Sequence, residues 1–144
     1  MTAVTVALPA EVLADREPSV AGDLAELLPI LNRLRFIAQT CRAQARLDLG
    51  TACAAIQASY EASLETAATL MVRVVNEALE RRMTFLAPGS KSMSSDEEWL
   101  VRLIERALEH DTISVEFLLR RRVPRQNHHA FRSIIRVVAG LIDR

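Results

Sequence analysis

Three histidines, two cysteines, a spaced pair of glutamates and a dense run of arginines come closest, by type and spacing, to forming a chemical site in this chain. His128 and His129 are neighbours, and on a helix they point about 100° apart, so they cannot clamp one ion together. A carboxylate-bridged metal pair in a bundle needs inward glutamates and a Glu-x-x-His step. Three residues before His110, His128 and His129 stand Ala107, Arg125 and Gln126, so the step is missing and neither a metal nor a cofactor is expected. Glu61 and Glu65 lie four apart beside Tyr60 and Leu64, where a solvated flank or an inter-helix ion pair is the expectation. Cys41 and Cys53 lack CxxC spacing and are expected as buried reduced thiols, although a bridge across Gly50 is geometrically open. The four glycines form no phosphate-cradling loop, and no Ser, His and Asp fall in a nucleophile elbow. No catalytic residue is assigned, and the chain reads as non-enzymatic.

The sharpest signal is cationic. Between Phe117 and Arg144 stand seven Arg and one acid, Asp143, an excess of six positive charges in a chain whose formal net charge is zero. Arg120, Arg121, Arg122, Arg125, His129, Arg132 and Arg136 are the candidate contacts to an anion or a nucleic acid, since these residue types meet phosphates and base edges. With Phe131, Ile134, Ile135 and Val138 inward, His129, Arg132, Ser133 and Arg136 are expected outward, at about 100° per residue. The alternative is a solvated arginine face pairing with Glu105, Glu109 and Glu116. A short helix, a turn at Val123 and a following helix also match the outline of a helix-turn-helix. Arg122 occupies the position where that motif usually has Gly, and no wing-forming strands follow. Ser114, Leu118, Arg120, Arg121, Asn127 and Ala130 faintly resemble the winged-helix tail of bacterial DNA translocases, over fewer than twenty residues. Pro124 stands where that family has a core Ile, and no residue role is carried over.

The elements that must position these residues all read as helix, so the fold class is all-α. Met1 to about Gly22 contain Pro9 and Pro18 without a sustained period and are expected as a mobile arm. From Asp23, the stripe of Leu24, Leu27, Leu31, Leu34, Ala38, Cys41 and Ala45 marks an amphipathic helix that begins or kinks at Pro29. Gly50, with Asp48 and Thr51 able to cap, is expected to turn the chain into a helical hairpin. The second arm is expected as one long Ala-rich helix over about 51–86, seamed by Cys53, Ile56, Tyr60, Leu64, Ala67, Met71, Val74 and Ala78.

Residues 87–95 read as a loop, and Ser95 with Glu98 reads as a capping box for the next helix. A C-terminal three-helix unit follows over about 96–143. Its helices run from Asp96 to about Glu109, burying Leu100, Leu103, Ile104, Ala107 and Trp99, then from Thr112 or Ser114 to Arg122, then from Asn127, burying Phe131, Ile134, Ile135, Val138, Leu141 and Ile142.

Composition bounds the function classes. Hydrophobic residues are 50% and aromatics 4%, so the core must be aliphatic, and a pI near 6.8 excludes a chain-wide electrostatic hold on nucleic acid or membrane. Seventeen of eighteen basic residues are Arg, which together with abundant Ala points to GC-rich coding and a bacterial source. The N-terminus lacks the basic start and apolar run of a secretion signal, and Ile134 to Ile142 is too short for a span, so a soluble cytoplasmic protein without membrane contact is expected. From Thr51 to Met71 only Glu61 and Glu65 are charged, an almost uncharged helix to be covered either by the C-terminal helices or by a second copy, of which a homodimer is the expectation. The expected function is a helical interaction and oligomerisation protein whose C-terminal unit meets a protein partner. A DNA-binding regulator is the alternative, and a small helical enzyme or cofactor carrier comes third.

Overall fold

A computed structural model describes residues 25–41, 48–58 and 63–143, all helix, turn and loop without a strand among them. Six helices follow in order, α1 (Leu28–Thr40), α2 (Leu49–Ala58), α3 (Leu64–Leu79), α4 (Ser95–Leu108), α5 (Thr112–Arg122) and α6 (His128–Ile142). Short 3-10 turns at Ala25–Leu27 and Arg125–Asn127 lead into α1 and α6. Pro29 sits in the first turn of α1, where its missing N–H has no helical partner to lose. The arm expected over residues 1–22, the helix start at Asp23, and Ala45, Tyr60 and Glu61 lie outside the described residues.

α6 is the central helix. Phe131, Ile134, Ile135, Val138 and Ala139 are buried against α2, α3 and α4, and α3 also takes α1 and α2 on its other sides. α5 is peripheral, packing chiefly on α4. Side chains from every helix share one aliphatic cluster, so α1–α3 and α4–α6 have a common core. α1 and α2 do not pack as the expected hairpin turning at Gly50: each packs on α3, and Gly50 lies within the first turn of α2. Trp99 joins its layers. Its indole N–H donates to the Leu118 carbonyl at 2.8 Å, and its ring stacks on Phe131 with centroids 6.3 Å apart. Leu27, Leu31 and Val101 form a smaller cluster at the start of α1.

The single long helix over 51–86 is not what the chain adopts. Ser63 is extended and its hydroxyl caps α3 through the Thr66 N–H, separating α2 from α3. α3 then stops at Leu79, because Glu80 takes a left-handed conformation at φ 57°. The Arg81 N–H returns to the Asn76 carbonyl at 3.2 Å, and the Asn76 side chain accepts the Met83 N–H at 2.7 Å. The irregular segment therefore begins near residue 80 rather than 87. The capping box of α4 is shifted by one residue, with Ser94 rather than Ser95 at the cap and Glu97 rather than Glu98 completing it. Cys41 and Cys53 are unbridged and half-buried, more accessible than their apolar stripes imply. No helix among the described residues is long and apolar enough to cross a membrane.

Candidate functional site

The cationic residues are placed by the junction of α5 and α6. Asp111 opens α5 by accepting the Ser114 N–H at 3.1 Å and the Ser114 hydroxyl at 2.7 Å, hydrogen bonds that hold its carboxyl below the usual range. Three arginines close the helix, where cations complement its dipole. Val123 is extended, and Pro124 denies α5 a further turn. The next turn is pinned to the end of α3. The Asn127 amide donates to the Ala78 carbonyl at 3.2 Å, and Gln126 donates to Glu80 at 3.0 Å. His128 Nε2 lies 2.7 Å from the Val123 carbonyl, so this nitrogen carries the proton and ties the start of α6 to the end of α5.

Between the two helices runs a groove of about 660 Å³ lined by Glu116, Arg120, Val123, Arg125, His128, His129 and Arg132. Four of the seven residues singled out by sequence, Arg120, Arg125, His129 and Arg132, therefore meet in one place. Arg120, Arg125 and His129 are exposed. Arg132 is half-buried rather than outward, with its Nε 2.5 Å from Glu116 Oε1. Glu116 is the one acid in the groove and is occupied by that pair. Arg120 and Arg125 have no ion-pair partner among the described residues, so the groove keeps an unneutralised positive charge.

The other three candidates go elsewhere. Arg121 lies outside the groove with its guanidinium 5.8 Å from the centre of the Phe117 ring. Arg122 turns to the opposite side and pairs with Asp96 of α4. Arg136 is exposed beyond the groove, at the edge of an adjoining cleft of about 330 Å³ that shares Glu116 and Arg132 with it and is floored by Val115, Ile135 and Ala139. The expected acids are only partly engaged as predicted. Glu116 pairs with the arginine run, whereas Glu105 and Glu109 pair with Arg102 and Arg106 on their own helix.

Two features escaped sequence reasoning. One is a buried polar junction where α1 and the irregular segment meet α4. All five N–H groups of Arg35 are used, on both Glu97 oxygens at 2.8 and 3.0 Å, on Asn32 Oδ1, and on the Ser90 and Ser92 carbonyls. Glu97 also accepts the Leu86 and Ser94 N–H groups. Burial raises its carboxyl, but Arg35 and these two donors outweigh that and leave it below its ordinary value. Beside it, Asp96 is held down to about 2, first by hydrogen bonds from Arg81, against the effect of burial, and further by the Thr84 N–H and the Arg122 charge. The other feature is the exposure of Ile113 and Phe117 on α5. Their position off the buried Val115–Leu119 stripe was a signal that helical phasing could have found.

Of the two arrangements expected for Glu65, a solvated flank or an inter-helix ion pair, it has both features: it is exposed and pairs with Arg33 of α1 at 2.6 Å. Among the described residues no three His, Cys, Asp or Glu side chains gather to hold a metal. Comparison with protein-family models, with curated proteins and with solved structures returned no match for the chain.

Proposed function

We propose that this chain is a non-enzymatic helical binding module that takes an anionic partner in the groove between α5 and α6. The observation that supports this is the convergence of Arg120, Arg125, His129 and Arg132 on a groove whose single acid is already paired. An unneutralised cationic groove raises the local concentration of anions and is where their association is steered. A soluble cytoplasmic setting belongs to the same reading and rests on the unbridged cysteines. So does self-association through α2, where Thr51, Ala54 and Ala55 are exposed and uncharged.

The DNA-binding alternative draws on the α5–turn–α6 outline. Its weakness is the packing of the second helix. A recognition helix must enter the major groove with a whole face exposed. α6 is packed by α2, α3 and α4 and exposes only a narrow stripe through His129, Arg136 and Gly140.

The test is titration of polyglutamate and of random duplex DNA across a salt series, with the parent chain and with Arg120→Ala/Arg125→Ala. Affinity for a polyanion should fall linearly in log salt, and the double substitution should lower the slope by about two. Absence of binding to either polymer at low salt would remove the reading.

A further inference from the structure

α5 carries an apolar feature beside its cationic one. Ile113 is 82% exposed and Phe117 56% exposed, and the third large exposed hydrophobic among the described residues, Phe36, lies away on α1. At about 100° per residue, Ile113, Phe117, Arg120 and Arg121 share roughly 100° of arc on the side opposite buried Val115 and Leu119. They form a stripe about 12 Å long, apolar at its start and doubly cationic at its end. Single exposed hydrophobics are ordinary, but two at i and i+4 on a peripheral helix are the spacing by which a second helix is engaged.

We infer that α5 docks an acidic amphipathic helix of a protein partner, with apolar side chains over Ile113 and Phe117 and carboxylates at Arg120 and Arg121. This rests on the anionic-partner reading and names the partner's class. Charge complementarity selects the occupant. Arg120 belongs both to this stripe and to the groove, so a partner crossing from one to the other meets continuous positive charge. A phosphate backbone would offer no apolar surface to cover Ile113 and Phe117. A second copy docked through the same stripe would bring no carboxylate to Arg120 and Arg121, because an isologous contact presents the same apolar and cationic side chains from both sides.

The experiment compares a synthetic peptide of about four helical turns, Leu on one face and Glu on the other, with polyglutamate of equal charge and with a short random duplex. Each is titrated against the parent chain and against Ile113→Ser/Phe117→Ser. The parent should bind the Leu/Glu peptide at least about tenfold tighter than polyglutamate. The substitution should abolish that advantage while polyglutamate binding and the circular dichroism melt stay unchanged, since both side chains are exposed. Equal affinity for peptide and polyglutamate would overturn the inference and leave the anionic groove standing. Tighter binding to the duplex, insensitive to the double substitution, would overturn it in favour of nucleic acid. A doubled mass in light scattering that the substitution abolishes would overturn it in favour of a second copy. Binding to none of the probes would remove the groove reading itself.

Discussion

The chain uses arginine in opposite ways at two places. At the junction of α1, the 80–94 segment and α4, Arg35 is fully enclosed and each of its donors has a partner, two of them backbone carbonyls. At the junction of α5 and α6, Arg120 and Arg125 stand in solvent beside one acid that is committed to Arg132. Burial forces the first arrangement, because a guanidinium and a carboxylate can leave water only if paired and hydrogen-bonded. Exposure permits the second, because water and salt screen unmatched charge. Matched charge therefore fixes the fold of an irregular segment, while unmatched charge is left for something outside the chain.

The largest effect that would break this contrast is at Glu97. Glu97→Ala should destabilise the protein by about 3–5 kcal/mol in urea unfolding, because it strands a buried guanidinium and two backbone N–H groups. Replacing both partners, Arg35→Met with Glu97→Leu, should recover little. The Ser90 carbonyl and the Leu86 and Ser94 N–H groups would still lack the partners they now have, while the Ser92 carbonyl keeps the Ser90 hydroxyl at 3.4 Å. Near-complete recovery would show that the backbone has other partners and that the junction is an ordinary ion pair.

Acid separates the two regions next. Asp96 has a folded-state value of about 2 against an ordinary 3.8, so its contribution is fully present above about pH 4 and lost as pH falls toward 2. That drop corresponds to about 2 kcal/mol. Glu97 shifts in the same direction, and its contribution is likewise lost on acidification below its ordinary 4.5. The stability gap between the parent chain and Asp96→Asn should be widest at neutral pH and shrink between pH 4 and pH 2. A gap independent of pH would mean that the Arg81 and Arg122 contacts do not hold the carboxyl down.

How much of this was legible varies by element. The limits of α5 follow from Asp111, Thr112 and Pro124, local signals that need no tertiary partner. The cationic groove was readable because its charges are clustered in sequence. The break at Ser63 was not, since the apolar spacing of Tyr60 and Leu64 runs through it and no Gly or Pro marks it. The end of α3 was equally hidden, because Glu80 takes a conformation that usually signals itself by Gly. Arg35 and Glu97 lie 62 residues apart, and nothing local distinguishes them from surface charges.

The α4 cap sharpens that lesson at about 1 kcal/mol. Ser94-x-x-Glu97 and Ser95-x-x-Glu98 satisfy the same local pattern, and the choice falls to Ser94 because Arg35 and the Leu86 N–H draw Glu97 inward. Ser94→Ala should cost about 1 kcal/mol and Ser95→Ala close to nothing by thermal unfolding. Equal losses would place the cap outside the reach of the junction.

The smallest effect lies within α6, where Arg132 and Arg136 are one helical turn apart on the expected outward face. Arg132 is paired with Glu116 at 2.5 Å and 23% exposed, while Arg136 is exposed and has no ion-pair partner among the described residues. Arg132→Ala should therefore lower stability by about 0–1 kcal/mol, the range of partly exposed pairs, and Arg136→Ala should leave it unchanged within error. The two should also part in binding. Losing Arg132 removes one groove cation and releases Glu116, so polyglutamate affinity falls for two reasons, whereas Arg136 lies outside the groove and its loss alters only long-range attraction. Equal loss of polyanion affinity in the two variants would show that the anion follows the whole face of α6 rather than the α5–α6 groove. The exposed stripe of α6, rather than its junction with α5, would then be the surface that function uses.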